Sequence, residues 1–319
     1  MIKTPLKVGI VGTGRFGSRH LEKWLKIEDI ELIGFNDKDD GTCGEVADKF
    51  GLPCFPLEEL IGSVDILDIV VPISSHFKIA KKALEAGKHI FVEKSFTEFP
   101  DQADELKELA VKSSLMVGIG HIERFNPVLV ELKKHLTAIP SKLMAFRQGP
   151  FIPGVGLDVS IIKELMIHDI DLILSFVNEQ VRDVKAVGIP ILTPKVDIAN
   201  ARLEFENGCV ANLTASRVSR ERTRKFRVFQ LNDYISLDFQ NRNVEMFSLE
   251  ETADGKRQIV ARDPDISEGE PLKLELEAFL ATIRGESIPG VCTGYQGKKS
   301  LELALQIVEQ TRNSSGVRS

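Results

Sequence analysis

The 319-residue sequence has no run approaching the roughly 18 consecutive apolar residues of a membrane helix, which argues against a helical membrane protein. Its first apolar run, "VGIVG", is too short for the core of a secretory signal, and charged residues soon follow. Cysteine is scarce: Cys43, Cys54, Cys209 and Cys292 are scattered, with no CxxC pair. That spacing points away from a zinc site or a disulfide framework and towards reduced thiols in a cytoplasm, with no metal expected. A basic excess is missing too. The net charge of −6 speaks against a dedicated nucleic-acid or anionic-membrane binder. Low-complexity tracts and internal repeats are also missing. The chain is too long for one ordinary core, so two domains are expected.

What is present is order of two kinds. Over the first 120 residues, β-rich runs alternate with helical patterns: "KVGIVG", "FGSRHLEKWLKI", "ELIGFND", "CGEVADKFG", "ILDIVVP", "HFKIAKKALEAGK", "HIFVEK", "DQADELKELAVKS" and "LMVGIGH". Continuous Val/Ile strands between helices indicate a parallel sheet covered on both faces, a doubly wound α/β domain. Later runs such as "DIANARLEFENGCVANLTAS" and "KFRVFQLNDYISLDF" are broken by Asn207-Gly208 and Asn232-Asp233, turn signals of antiparallel hairpins. Two helical patterns, 271–284 and 296–313, close the chain. We therefore expect an α/β domain over 1–121 and an α+β domain with a large, mostly antiparallel sheet over 122–319.

"VGIVGTGRFGSRH" carries Gly12, Gly14, Arg15, Phe16 and Gly17 in a GxGxxG loop between a buried strand and a helix. Asp37 follows 20 residues after Gly17, at the end of the next strand. The full context is a dinucleotide fingerprint. Gly12 permits the tight turn, Gly14 lets the backbone approach a pyrophosphate, and Gly17 lets helix and strand pack closely. The helix N-terminus offers N–H groups to phosphate. Asp37 can accept from both ribose hydroxyls and would repel a 2′-phosphate, which favours NAD over NADP. Lys38 beside it leaves NADP as the alternative.

The segment "KELMIHDIDLIL" is apolar around most of a helical wheel, yet Glu164, His168, Asp171 and Ser175 share one stripe. Buried helices of this kind turn such a stripe towards a pocket, or satisfy it as a structural His–carboxylate pair. Asp169 falls off the stripe and reads as a rim or capping group.

Several motifs together resemble the glucose–fructose oxidoreductase/inositol dehydrogenase family across nearly the whole chain. They are "VPISSHFKIAKKALEAGKHIFVEKS", "GHIERFNP", Glu164-x-x-x-His168-x-x-Asp171 and "GYQGKKSLELALQIVEQTRNSSG". Within that family the pattern looks most like the nucleotide-sugar branch, whose substrates are UDP-N-acetylhexosamines. The resemblance implies an N-terminal Rossmann domain and a C-terminal domain whose sheet joins homodimers or homotetramers. It also implies hydride transfer from a secondary alcohol of a sugar or nucleotide sugar to the nicotinamide. Carried over, Lys94 binds the reacting hydroxyl, His168 takes its proton and Glu164 orients the imidazole. Pro72, His76 and Glu93 lie near the cofactor, while Arg124, Asn126 and Asp171 serve the substrate.

The chain departs from the family pattern at three points. Ser95 replaces a proline after Lys94, where a cis bond is common, and cis costs about 2.5–4 kcal/mol before a non-proline residue. Glu164 stands for Asp, and Ile73 for Asn or Thr. The departures leave open a non-enzymatic dinucleotide-binding regulator and an NAD-dependent glycosidase as alternatives to the dehydrogenase. "SRVSRERTRKFRV" would place Arg220, Arg222 and Arg224 on one face if extended, either gripping a diphosphate or forming a solvated loop.

Overall fold

The computed structural model describes residues 5–136, 138–152 and 159–314. The last two residues of the closing motif, 315 and 316, lie outside the described residues. Two compact units divide the chain: one runs to Phe125 and includes Glu270–Leu301, the other holds Asn126–Gly269 and the chain from Glu302 onward. The expected segments were continuous, with a boundary after residue 121. The contact division instead returns residues 270–301 to the first unit.

In chain order the first unit contributes β1 (Leu6–Val11), α1 (Gly17–Trp24), β2 (Ile30–Asn36), α2 (Asp40–Phe50), α3 (Leu57–Ser63), β3 (Ile66–Ile69), α4 (Ile73–Glu85), β4 (His89–Glu93), α5 (Pro100–Lys112) and β5 (Val117–Gly120). The second contributes α6 (Pro127–His135), β6 (Lys142–Gln148), a π-turn (Ile162–Met166), α7 (Ile167–Val177) and β7 (Val181–Ile189). It continues with β8 (Ile198–Phe205), β9 (Val210–Ser216), β10 (Thr223–Gln230), β11 (Asp233–Asp238), β12 (Asn243–Glu251) and β13 (Arg257–Arg262). Then come α8 (Pro271–Ile283) and β14 (Cys292–Thr293), back in the first unit, and α9 (Gly294–Ser314).

The first sheet runs β14-β5-β4-β3-β1-β2, parallel except for β14 against β5. Strand order reverses between β1 and β3, and in such sheets ligands bind beyond the strand ends at that switch. The sheet is sandwiched, as its continuous apolar strands require. One layer packs Val8, Ile10, Trp24, Phe35 and Phe91 against Leu272, Leu276 and Phe279 of α8. That packing is why residues 270–301 belong here. Hydrophobic periodicity says a helix has an apolar face but not which sheet it covers.

The second sheet runs β13-β12-β11-β10-β6-β9-β8-β7 and is antiparallel apart from the β6–β9 pair. Gly208 (φ +84°) and Asn232 (φ +66°) make the hairpin turns. Strict alternation puts Leu143, Ala145, Leu203 and Phe226 into a core with Leu129 and Leu132 of α6, Ile170 and Ile173 of α7 and Ile307 of α9. The outer face carries Phe229, Tyr234 and Phe247, with ring centroids 5.2 and 6.0 Å apart in succession.

The cysteines correct the expectation of four separate thiols. Cys43 and Cys54 are joined as a disulfide, their Cα atoms 5.8 Å apart. Residues 53–55 bond to Phe35 at the end of β2, which brings Cys54 beside Cys43 on α2. Cys209 is a buried thiol, and burial pushes its pKa up to about 11.

Candidate active site

The glycine loop is shaped by its own chain at two positions and left open at the third. Gly12 has φ +88°, and a Cβ there would lie 2.5 Å from the Val70 carbonyl oxygen. A Cβ on Gly17 would come within 1.9 Å of the Gly12 carbonyl oxygen, so only glycine allows this approach of helix and strand. A Cβ on Gly14 would meet nothing within 4 Å. The open space above Gly14 leaves the backbone accessible to a closely approaching pyrophosphate. Arg15 is exposed and Phe16 half-buried beside it.

Asp37 is tied to this loop. Thr13 donates to its Oδ2 from the backbone N–H at 2.7 Å and from the hydroxyl at 3.2 Å, and the Asp39 N–H donates to Oδ1 at 3.2 Å. The glycine loop and Asp37 are thereby held together, and these residues fit a bound dinucleotide.

Pro72 occupies the N-cap of α4, and His76, one turn in, is buried. Its Nδ1 lies 2.9 Å from the Ser95 carbonyl oxygen and its Nε2 2.8 Å from that of Val71. Burial holds this imidazole below the ordinary histidine range, outweighing the carbonyls around it. His76 thus braces the loop that follows Lys94. Glu93 ends β4, and its Oε2 accepts the backbone N–H of half-buried Lys94 at 3.2 Å. The Lys94–Ser95 peptide bond is cis. Arg124 donates to Gln296 Oε1 at 2.9 Å, while Asn126 caps α6 by accepting from the Val128 N–H.

In the second unit Glu164, His168 and Asp171 share one helical segment, but not a uniform one. Residues 162–166 form a π-turn in which the Ile167 N–H reaches back to the Ile162 carbonyl. The expected wheel assumed 3.6 residues per turn throughout, whereas a π-turn uses i→i+5 bonds and often marks functional segments. Glu164 and His168 are half-buried and Asp171 is buried. Asp169 is not the rim or capping group expected. It is buried, and Arg147 of β6 forks onto it with Nη2 2.9 Å and Nε 3.2 Å from Oδ1. A carboxylate inside this core needs a partner, and the arginine supplies one.

Arg217 is a second buried arginine without a place in the sequence reading. Its guanidinium lies 3.2 Å from Glu164 Oε2 and 3.5 Å from Asp197 Oδ1. Asp197 in turn accepts N–H bonds from Ile191, Leu192 and Thr193. Burial works against its ionisation, but these donors win and hold its pKa below the usual carboxylate value. A signal for both arginines exists in the sequence. Arg147 continues the inward set Leu143, Ala145, and Arg217 the inward set Ala211, Leu213, Ala215. The Arg220/Arg222/Arg224 alternation dissolves: only Arg224 lies in a strand, while Arg220 and Arg222 sit exposed in the preceding loop.

The first unit therefore gathers Gly12, Gly14, Gly17 and Asp37, and separately His76, Glu93 and Lys94. The second carries Glu164, His168 and Asp171. A model of the GFO/IDH/MocA oxidoreductase family, NAD-binding Rossmann fold, matches residues 6–121, and one of its C-terminal domain matches residues 157–231. The UDP-N-acetylglucosamine 3-dehydrogenase of Acidithiobacillus ferrooxidans is 36% identical over 304 residues, covering 95% of this chain and 96% of that protein. The chain belongs to the GFO/IDH/MocA oxidoreductase family. It is an NAD-dependent oxidoreductase. A solved structure of the Acidithiobacillus ferrooxidans dehydrogenase superposes with a TM-score of 0.91, covering 98% of this chain and 99% of that one at 35% identity. The scyllo-inositol 2-dehydrogenase (NAD(+)) of Bacillus subtilis is 26% identical, with 67% of this chain and 68% of that protein covered. Among the described residues, no helix is long and apolar enough to cross a membrane.

Proposed function

We propose that the protein oxidises the 3-hydroxyl of UDP-N-acetylglucosamine or a closely similar UDP-N-acetylhexosamine. The observation that carries this reading is the end-to-end similarity to the Acidithiobacillus ferrooxidans enzyme.

NAD, when bound, supplies the hydride acceptor. Gly12, Gly14, Arg15, Phe16 and Gly17 hold its phosphates, Asp37 its ribose, and Pro72, His76 and Glu93 line the nicotinamide end. His168 takes the proton from the reacting hydroxyl, and the Lys94 ammonium stabilises the oxygen as charge develops on it. Glu164 keeps the imidazole basic and oriented. The Arg217 guanidinium, 3.2 Å from Glu164 Oε2, offsets the charge of that carboxylate. Arg124, Asn126 and Asp171 contact the sugar nucleotide.

With NAD and UDP-N-acetylglucosamine the protein should produce the reduced-nicotinamide absorbance, whereas myo-inositol and free N-acetylglucosamine should give none. NADP should be the poorer acceptor, and Asp37→Ala should narrow that gap. Turnover of inositol but not of the UDP-sugar would end the substrate assignment, and a preference for NADP in the unmodified protein would end the role of Asp37.

The outer face of the second sheet pairs, in this reading, with a second copy of the chain. Phe247 is 40% exposed and Val187 54% on a face that strand alternation would otherwise leave polar. Light scattering should give a dimer or tetramer, and Phe247→Glu should shift it towards monomer. A monomeric mass for the unmodified protein rules this out.

A further inference from the structure

Asp68 sits in the middle of β3, fully buried, where a carboxylate is out of place. Its register partners are Ile10 on β1 and Phe91 on β4, and the layer around it is apolar. An ionised carboxylate survives there only if hydrogen-bonded and paired. Both services come from one face of α1: His20 Nδ1 lies 2.8 Å from Asp68 Oδ2, and Trp24 Nε1 donates to the same oxygen at 2.7 Å. Residues 20 and 24 are one helical turn apart, so a single side of the helix makes both contacts.

The imidazole has a second neighbour. Its Nε2 is 3.4 Å from Oε1 of Glu93, the residue whose other oxygen accepts the Lys94 N–H. Gly120, opposite Glu93 on β5, leaves the carboxylate its space, since a Cβ there would lie 2.4 Å from Oε1. Three of the four residues in the chain Asp68–His20–Glu93–Lys94 are buried, and it ends on the residue that stabilises the developing oxyanion.

We propose that His20 is a positioning residue for the reacting centre. Its imidazolium, anchored by Asp68, fixes the Glu93 carboxylate and through it the backbone of Lys94. The inference rests on the assignment of Lys94 above and adds a residue that touches neither substrate nor nicotinamide.

The electrostatics of the pocket agree. Burial by itself depresses the His20 pKa, but the charge and hydrogen bond of Asp68, joined by Glu93, outweigh it and hold the group up at about 10. Glu275 of α8 faces the same space. Burial first, then the Glu93 charge, push its pKa well above the carboxylate range, although its Oε1 accepts the His121 N–H at 2.7 Å. Arg124 also acts on Glu275. The Phe16 and Phe91 rings, at 5.0 and 6.2 Å, complete the surroundings of His20 without charge. Around neutrality His20 is therefore an imidazolium. The stability this cation contributes is complete below its unfolded pKa near 6.5 and is lost as pH rises through its folded value near 10.

Two measurements decide the matter, one of them independent of the substrate. Nitrogen chemical shifts of the His20 ring in the NAD-bound protein should report an imidazolium from pH 6 to beyond pH 8, and Asp68→Asn should move its titration down by about one unit or more. A neutral ring at pH 7 overturns the proposal, even if no sugar were turned over. In steady-state assays His20→Gln should lower kcat by about 10- to 100-fold while the Kd for NAD changes less than about threefold. Should that variant fold poorly, Asp68→Asn tests the same link and should give the same split. Unchanged kcat and an unchanged pH profile in a folded variant also overturn it.

Discussion

His168→Ala should lower kcat by about 10²–10⁴-fold, the usual worth of a positioned general base, while leaving NAD affinity almost unchanged. The argument is one of proton affinity. A lysine ammonium titrates near 10.4 unless strongly perturbed, so a lysine is the poorer acceptor for the hydroxyl proton. An imidazole near 6.5 is the better one. The acidic limb of the kcat/KM profile should therefore disappear in the His168 variant. Lys94→Ala should damage turnover and cofactor placement together, because in the proposed site its side chain lies where nicotinamide and substrate meet, although its backbone tie to Glu93 remains. Stopped-flow reduction of NAD separates the two variants. Full turnover in His168→Ala, with an unchanged profile, would reduce Glu164, His168 and Asp171 to a structural set.

Much of the first unit was legible because its signals are local. The GxGxxG loop, the acid 20 residues on and the continuous apolar strands each fall within a short window. Asp37, 20 residues after Gly17, accepts from the Thr13 N–H of that loop, a contact the spacing alone did not announce. Hairpin turns at Asn207-Gly208 and Asn232-Asp233 were legible for the same reason, since φ > 0 is a demand on one or two residues.

What escaped depends on partners far along the chain. Asp169 looked like a rim group because the wheel knows only its own helix, and its partner Arg147 is 22 residues away on β6. Cys43 and Cys54 meet because the chain returns to β2, a fact no spacing rule contains. Asp68 sits inside an otherwise apolar strand with nothing nearby in sequence to announce His20. The π-turn at 162–166 follows from backbone pairing that side-chain periodicity does not report. The common thread is burial of polar groups. Each looks anomalous in the sequence until its partner is known.

The Arg147–Asp169 pair tests that thread by stability. Both side chains are 3% exposed, and they meet through a forked contact between β6 and α7. Desolvating two such charges costs several kcal/mol apiece, and the fork recovers this only while both partners stand. Asp169→Ala leaves a buried guanidinium without its carboxylate, and should destabilise the protein by about 3–5 kcal/mol in denaturant unfolding. Arg147→Met combined with Asp169→Leu removes both charges at similar volume, and should cost much less than the single change. The pair also clamps the helix beside His168. Asp169→Ala should therefore lower kcat in the fraction that stays folded, whereas the double variant should recover part of it by restoring packing. A single substitution costing less than about 1 kcal/mol would mean that the pair is solvated, and that the polarity of α7 is set by something other than this clamp.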